Sequence, residues 1–131
     1  MAYRQTTAGV TVTVVPHYLD DQSRPDEDHY VWAYHVTIGN GRQDDVQLLR
    51  RHWRIVDGRG RMQEVRGAGV VGEQPVLTPG RSFEYTSGCP LSTPSGMMGG
   101  TYQMITEGGE LFDVVIPSFP LDSPFAHSSV H

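Results

Sequence analysis

Between Tyr30 and Ile38 every second side chain is large and apolar: Tyr30, Trp32, Tyr34, Val36 and Ile38 share one parity, Val31, Ala33, His35 and Thr37 the other. A period of two marks an extended strand with one buried face, because successive side chains leave a pleated backbone on opposite sides. The pattern recurs in Val10-Thr-Val-Thr-Val14. No segment carries the apolar spacing of an amphipathic helix.

Further strands are predicted at Val46 to Val56, Met62 to Val65, Ser82 to Thr86, Thr101 to Thr106 and Leu111 to Ile116. Turn chemistry separates them: Asp57-Gly58-Arg59-Gly60 and Gly108-Gly109 read as hairpin loops, where glycine reaches positive φ without strain. Pro16 is expected to end the first strand. Residues 90–100, with two prolines and three glycines, read as a long connection, and Pro117, Pro120 and Pro124 give an extended tail. About seven short antiparallel strands predict an all-β sandwich of fibronectin type III or immunoglobulin kind, with a small closed barrel as the alternative.

At 131 residues the chain is expected to form a single domain over 1–131, with its core at about 10–124. Such a domain buries enough surface to stand without disulfides, and Cys89 is the sole cysteine. No signal-peptide core and no stretch near 18 apolar residues is present, so a cytoplasmic protein without membrane attachment is expected. The net charge of -5 argues against general nucleic-acid binding. Arg50, Arg51, Arg54, Arg59, Arg61 and Arg66 nevertheless fall in one stretch holding only Asp57 and Glu64 as acids, a local +4 suited to phosphate or an acidic partner.

Gly67-Ala-Gly69-Val-Val-Gly72 spells the dinucleotide fingerprint GxGxxG, but Pro75 and Pro79-Gly80 follow where a phosphate-binding helix would have to open. Two readings remain. The glycines permit tight bends, a bulge or close backbone approach; or their amides form a nest for phosphate or pyrophosphate, completed by Arg66 and Arg51. Alternation puts Arg50, His52 and Arg54 on one face and Leu49, Arg51, Trp53 and Ile55 on the other. Arg51, on the apolar side, is expected to pair with Glu64 or Glu73. The stripe of Arg50, His52 and Arg54 reads as a solvated face or a contact for an acidic partner.

Met97 and Met98 offer an adaptable apolar contact or a plug for the open end of the sandwich. Exposed edge strands make a homodimer plausible. The acidic run Asp26-Glu-Asp-His29 lacks the spacing of a calcium loop, and the histidines at 17, 29, 35, 52, 127 and 131 form no zinc-type pair with cysteine, so no metal site is assigned and a divalent cation is left open. Thr86-Ser-Gly-Cys89 lacks a nucleophile elbow and no catalytic residue is assigned. Cys89 reads as a small structural thiol.

Several strings resemble the ApaG family: Val14-Val-Pro-His-Tyr-Leu, Gln22-Ser, Tyr30-Val-Trp-Ala-Tyr-His-Val-Thr-Ile, Val46-Gln-Leu-Leu-Arg-Arg-His-Trp-Arg-Ile and Gly67-Ala-Gly-Val-Val-Gly-Glu-Gln-Pro. Tyr85-Thr-Ser-Gly, Leu91-Ser-Thr-Pro-Ser-Gly-Met-Met-Gly-Gly-Thr-Tyr and Ile116-Pro-Ser-Phe continue it, so the likeness spans about 10–124. It implies a fibronectin type III-like sandwich; no cofactor is assigned, with phosphate or pyrophosphate left open. In eukaryotes the family occurs as an interaction domain of F-box and polymerase-interacting proteins. Bacterial members are associated with a diadenosine tetraphosphate hydrolase and with cobalt and magnesium handling. The resemblance transfers no catalytic residues. The expected function is a non-enzymatic interaction module with an unknown protein partner; the alternative is a phosphate, pyrophosphate or nucleotide binder.

Overall fold

A computed structural model describes residues 1–126 of the chain; His127 and His131, weighed above as ligands, lie outside the described residues. Nine strands run in the order β1 Tyr3–Thr7, β2 Val10–Tyr18, β3 Tyr30–Asn40, β4 Val46–Asp57, β5 Met62–Ala68, β6 Val76–Leu77, β7 Ser82–Leu91, β8 Ser95–Thr106 and β9 Leu111–Asp122 among the described residues. They form two antiparallel sheets, ordered β1-β2-β3-β7 and β5-β4-β8-β9, with β6 pairing β4. The sheets pack face to face as a sandwich.

The alternating residues build the core as their parity requires. Val10, Val12, Val14, Val36 and Ile38 are fully buried, and Trp32 is 1% exposed. The facing sheet supplies Leu48, Tyr102, Met104 and Phe119. Trp53 sits among Tyr34, Tyr102 and Phe119 at ring-centroid distances of 5.1, 6.3 and 6.2 Å, edge contacts that add to simple area burial.

Two structural features depart from simple alternation. On β4, Val46 and Leu48 are buried, but so are Trp53 and Ile55, which have the opposite parity. A bulge at Leu49, where the pairing with β8 slips between Leu48 and Arg50, reconciles them. On β9 the register to β8 shifts between Met98 and Gly100, where Pro117 and Ser118 lie.

The strands also run further than expected. Pro16 lies within β2, beyond the point where β1 stops pairing at Val14, so its missing amide falls where the strand has a neighbour on one side only. Residues 95–100 belong to β8, leaving only 92–94 as connection. A Cβ on Gly100 would collide with the His52 carbonyl and one on Gly99 would meet Ser118 Oγ at 2.7 Å. These glycines therefore allow close strand approach rather than mark a loop.

One flank of the sandwich is closed, because β1 and β2 pack on β9. The opposite flank is bounded by β7 and β5, edge strands of different sheets that do not pair with each other.

Candidate functional site: the outer face of the β5-β4-β8-β9 sheet

Strand register places the arginine stripe. On the outer face, Arg66 of β5 stands opposite His52, which stands opposite Thr101 of β8. The next row runs Ala68, Arg50, Gln103 and Asp113. These rows line a shallow groove of about 460 Å³, bordered also by Arg51 and Gly67. In the other direction lie Arg54 opposite Glu64, and then Met62, Val56 and Met97 in one row. Met62 is 60% and Met97 45% exposed. One sheet face thus carries a basic half and an apolar half.

Glu64 organises the basic half. Its Oε1 lies 3.0 Å from His52 Nε2, 3.4 Å from Arg66 Nη2 and 3.9 Å from Arg54 Nε. The His52 hydrogen bond first, and the Arg66 charge next, hold its carboxyl below the usual glutamate range. One carboxylate lies within ion-pair distance of three basic side chains. Arg50 has no ion pair among the described residues and presents its charge to the groove.

The predicted residues divide. Arg50, His52, Arg54 and Met97 share this face, and Arg66 and Gly67 adjoin them. Met98 does not: it is 2% exposed and belongs to the core, so it offers no surface to a partner. Arg51 also departs from expectation. It faces inward opposite Gly67, and its Nη1 donates to the Ala68 and Gly69 carbonyls at 3.1 and 2.9 Å, not to Glu64 or Glu73.

Each glycine of GxGxxG has a local structural reason. A Cβ on Gly67 would meet the Arg51 guanidinium at 2.7 Å. Gly69 has φ of +64 and would drive a Cβ into the Glu73 carbonyl. Val71 and Gly72, with φ of 42 and 81, form a two-residue turn whose flanking Val70 and Glu73 exchange amide–carbonyl bonds of 2.8 and 2.9 Å. The amide of Gly69 donates to Leu49. With the Gly69, Val70 and Glu73 amides bonded internally, anion recognition here would fall to the neighbouring guanidinium groups.

The sequence reading missed Met62, Thr101, Gln103 and Asp113. Alternation through Thr101 to Thr106 marks Thr101 and Gln103 as outward; their position beside Arg50 follows only from the β4–β8 register. In the acidic run, Arg24 pairs with Glu27 at 3.7 Å. No group of three or more His, Cys, Asp or Glu side chains converges to hold a metal among the described residues. Nor is any helix there long and apolar enough to cross a membrane.

The sequence profile of the ApaG domain matches residues 20–106. The chain belongs to the ApaG family. An ApaG protein of Paramagnetospirillum magneticum is 63% identical over 122 residues, spanning 93% of this chain and 94% of the relative. One from Methylobacterium sp. (strain 4-46) is 58% identical over 129 residues, spanning 98% and 99%. A crystal structure assigned to the ApaA protein of Bordetella pertussis superposes with a TM-score of 0.86 at 50% identity, covering 92% of this chain and 97% of that one. The C-terminal domain of Wzt, at 11% identity and a TM-score of 0.54, shares the fold alone. ApaG membership therefore spans nearly the whole sandwich, including both halves of the outer face.

Proposed function

We infer that this ApaG protein is a non-enzymatic binding module that docks a protein partner on the outer face of its β5-β4-β8-β9 sheet. The observation that carries this reading is the joining, on one face, of the Arg50–His52–Arg66 groove with exposed Met62 and Met97. Arginine and methionine are enriched at protein contacts, the first for planar charge-assisted recognition and the second for adaptable packing. The preferred partner surface is acidic with an apolar centre. The net charge of -5 opposes approach by an acidic partner overall, so the local basic patch orients the encounter.

The test is affinity capture of a partner from the native cell extract by the intact chain. Arg50→Glu and Met97→Asp should each lose the partner, while Glu84→Arg, on the outer face of the other sheet, should retain it. Retention by both face variants would contradict the proposal.

Phosphate or pyrophosphate is the second reading, favoured by the groove that Arg50 and Arg66 line together. Titration calorimetry with pyrophosphate decides it: saturable binding lost in Arg66→Ala supports a ligand site, and no heat of binding removes it.

A further inference from the structure

The open flank between β5 and β7 holds a second cavity, which shares Arg51 with the groove of the outer face. Its volume is about 230 Å³. The β4–β5 pairing turns Arg51, Trp53 and Val65 toward it, the β3–β7 pairing turns Tyr34 and Ser87, and Met98 closes the inner end. Its walls mix aromatic and apolar groups with the polar side chains of Gln63 and Ser87. Arg51 is the one charged side chain among them.

The Arg51 charge has no protein counter-ion among the described residues. Nη1 is engaged by the Ala68 and Gly69 carbonyls. Nε and Nη2 have no protein acceptor there, and Glu64 is committed to His52, Arg54 and Arg66 on the opposite side of the sheet. The tyrosines near the guanidinium do not supply negative charge. Tyr85 and Tyr102 hydrogen-bond to each other, and burial holds Tyr34, Tyr85 and Tyr102 above the ordinary phenol range, so all three are neutral. A half-buried guanidinium with free, co-planar N–H groups is matched by a carboxylate, which accepts two parallel hydrogen bonds.

We propose that this cleft binds a small monocarboxylate with a flat apolar body, its carboxylate on Nε and Nη2 of Arg51 and its body against the accessible Val65 and Pro90. The volume lies below the ~300–1,000 Å³ of pockets for drug-sized ligands, which restricts the body to roughly one ring. A nucleotide or diphosphate is too large for this volume and too highly charged for a single guanidinium.

The test is a titration of the intact ¹⁵N-labelled protein with phenylacetate and, separately, with neutral phenylacetamide. Phenylacetate should saturably shift the Trp53 indole N–H and the Arg51 Nε–H signals and bind at least about tenfold more tightly than the amide, a difference of about 1.4 kcal/mol. Arg51→Met should abolish this preference. Because Arg51 also anchors the Ala68 and Gly69 carbonyls, Val65→Trp serves as a second variant, narrowing the cleft while leaving the cation; it should weaken binding too. Equal affinity for acid and amide, or shifts confined to Arg50 and Arg66 on the outer face, would overturn the proposal. So would no saturable shift by about 10 mM, which would leave an interaction weaker than about 3 kcal/mol. None of these outcomes bears on partner docking at the outer face.

Discussion

At the scale of single residues, Gly69 carries the tightest constraint in the glycine segment. It combines positive φ with a blocked Cβ position, whereas Gly72 has positive φ and open space around it. Gly69→Ala is therefore expected to cost about 2–3 kcal/mol, and Gly72→Ala about 1 kcal/mol, in urea unfolding. Equal losses would contradict the assignment of a backbone collision at Gly69. Cys89 is 3% exposed, and burial pushes its thiol up to about 11. Since the thiolate is the reactive form, an aromatic disulfide reagent should label the native protein at least about a hundredfold more slowly than the urea-unfolded chain; comparable rates would contradict its burial. Glu64 makes stability pH-dependent. Its folded carboxyl is held below the glutamate range, so its contribution is full above about pH 4.3 and declines as the pH falls through the depressed folded value. Glu64→Gln should flatten the pH dependence of thermal stability in that acid window and leave the slope near neutrality unchanged.

At the scale of elements, the Leu49 bulge decides which side of β4 faces outward and which side packs. Without it, the parity that buries Val46 and Leu48 would put Arg50, His52 and Arg54 in the core. Deleting the bulged residue outright would instead bring Val46, Leu48, Trp53 and Ile55 to one parity, so the Leu49-deletion variant should still unfold cooperatively, destabilised by about 1 kcal/mol for each of the Gly69 and Gln74 hydrogen bonds lost from the Leu49 carbonyl. A non-cooperative melt of the deletion variant would contradict this account of the bulge. The same element explains what sequence reading reaches. Alternation within 50–55 correctly separates Arg50, His52 and Arg54 from Arg51, Trp53 and Ile55, since no irregularity interrupts that run. It cannot reveal Leu49, because a bulge depends on how β8 pairs. The short β6 and the exposed β1, Tyr-Arg-Gln-Thr-Thr, carry too little apolar alternation to be seen. Prolines and glycines in β8 and β9 conceal strands whose irregularity lies at an edge or a bulge.

At the scale of the whole molecule, the sandwich is closed where β1 and β2 meet β9, and open between β5 and β7. The all-β class and ApaG membership were legible in the chain because both rest on ordered local strings. The outer face was legible only in part: its arginines are contiguous in sequence, but Met62, Met97, Gln103 and Asp113 join them through pairing across three strand boundaries. Arg51 was recognisable as the odd residue of its face, while its carbonyl partners depend on a turn twenty residues downstream. Hydrogen–deuterium exchange of the chain bound to its captured partner tests partner docking most directly. The account predicts new protection concentrated in residues 50–54, 62–66 and 97–103; protection confined to the outer face of the other sheet, around His35, Thr37 and Glu84, would contradict it.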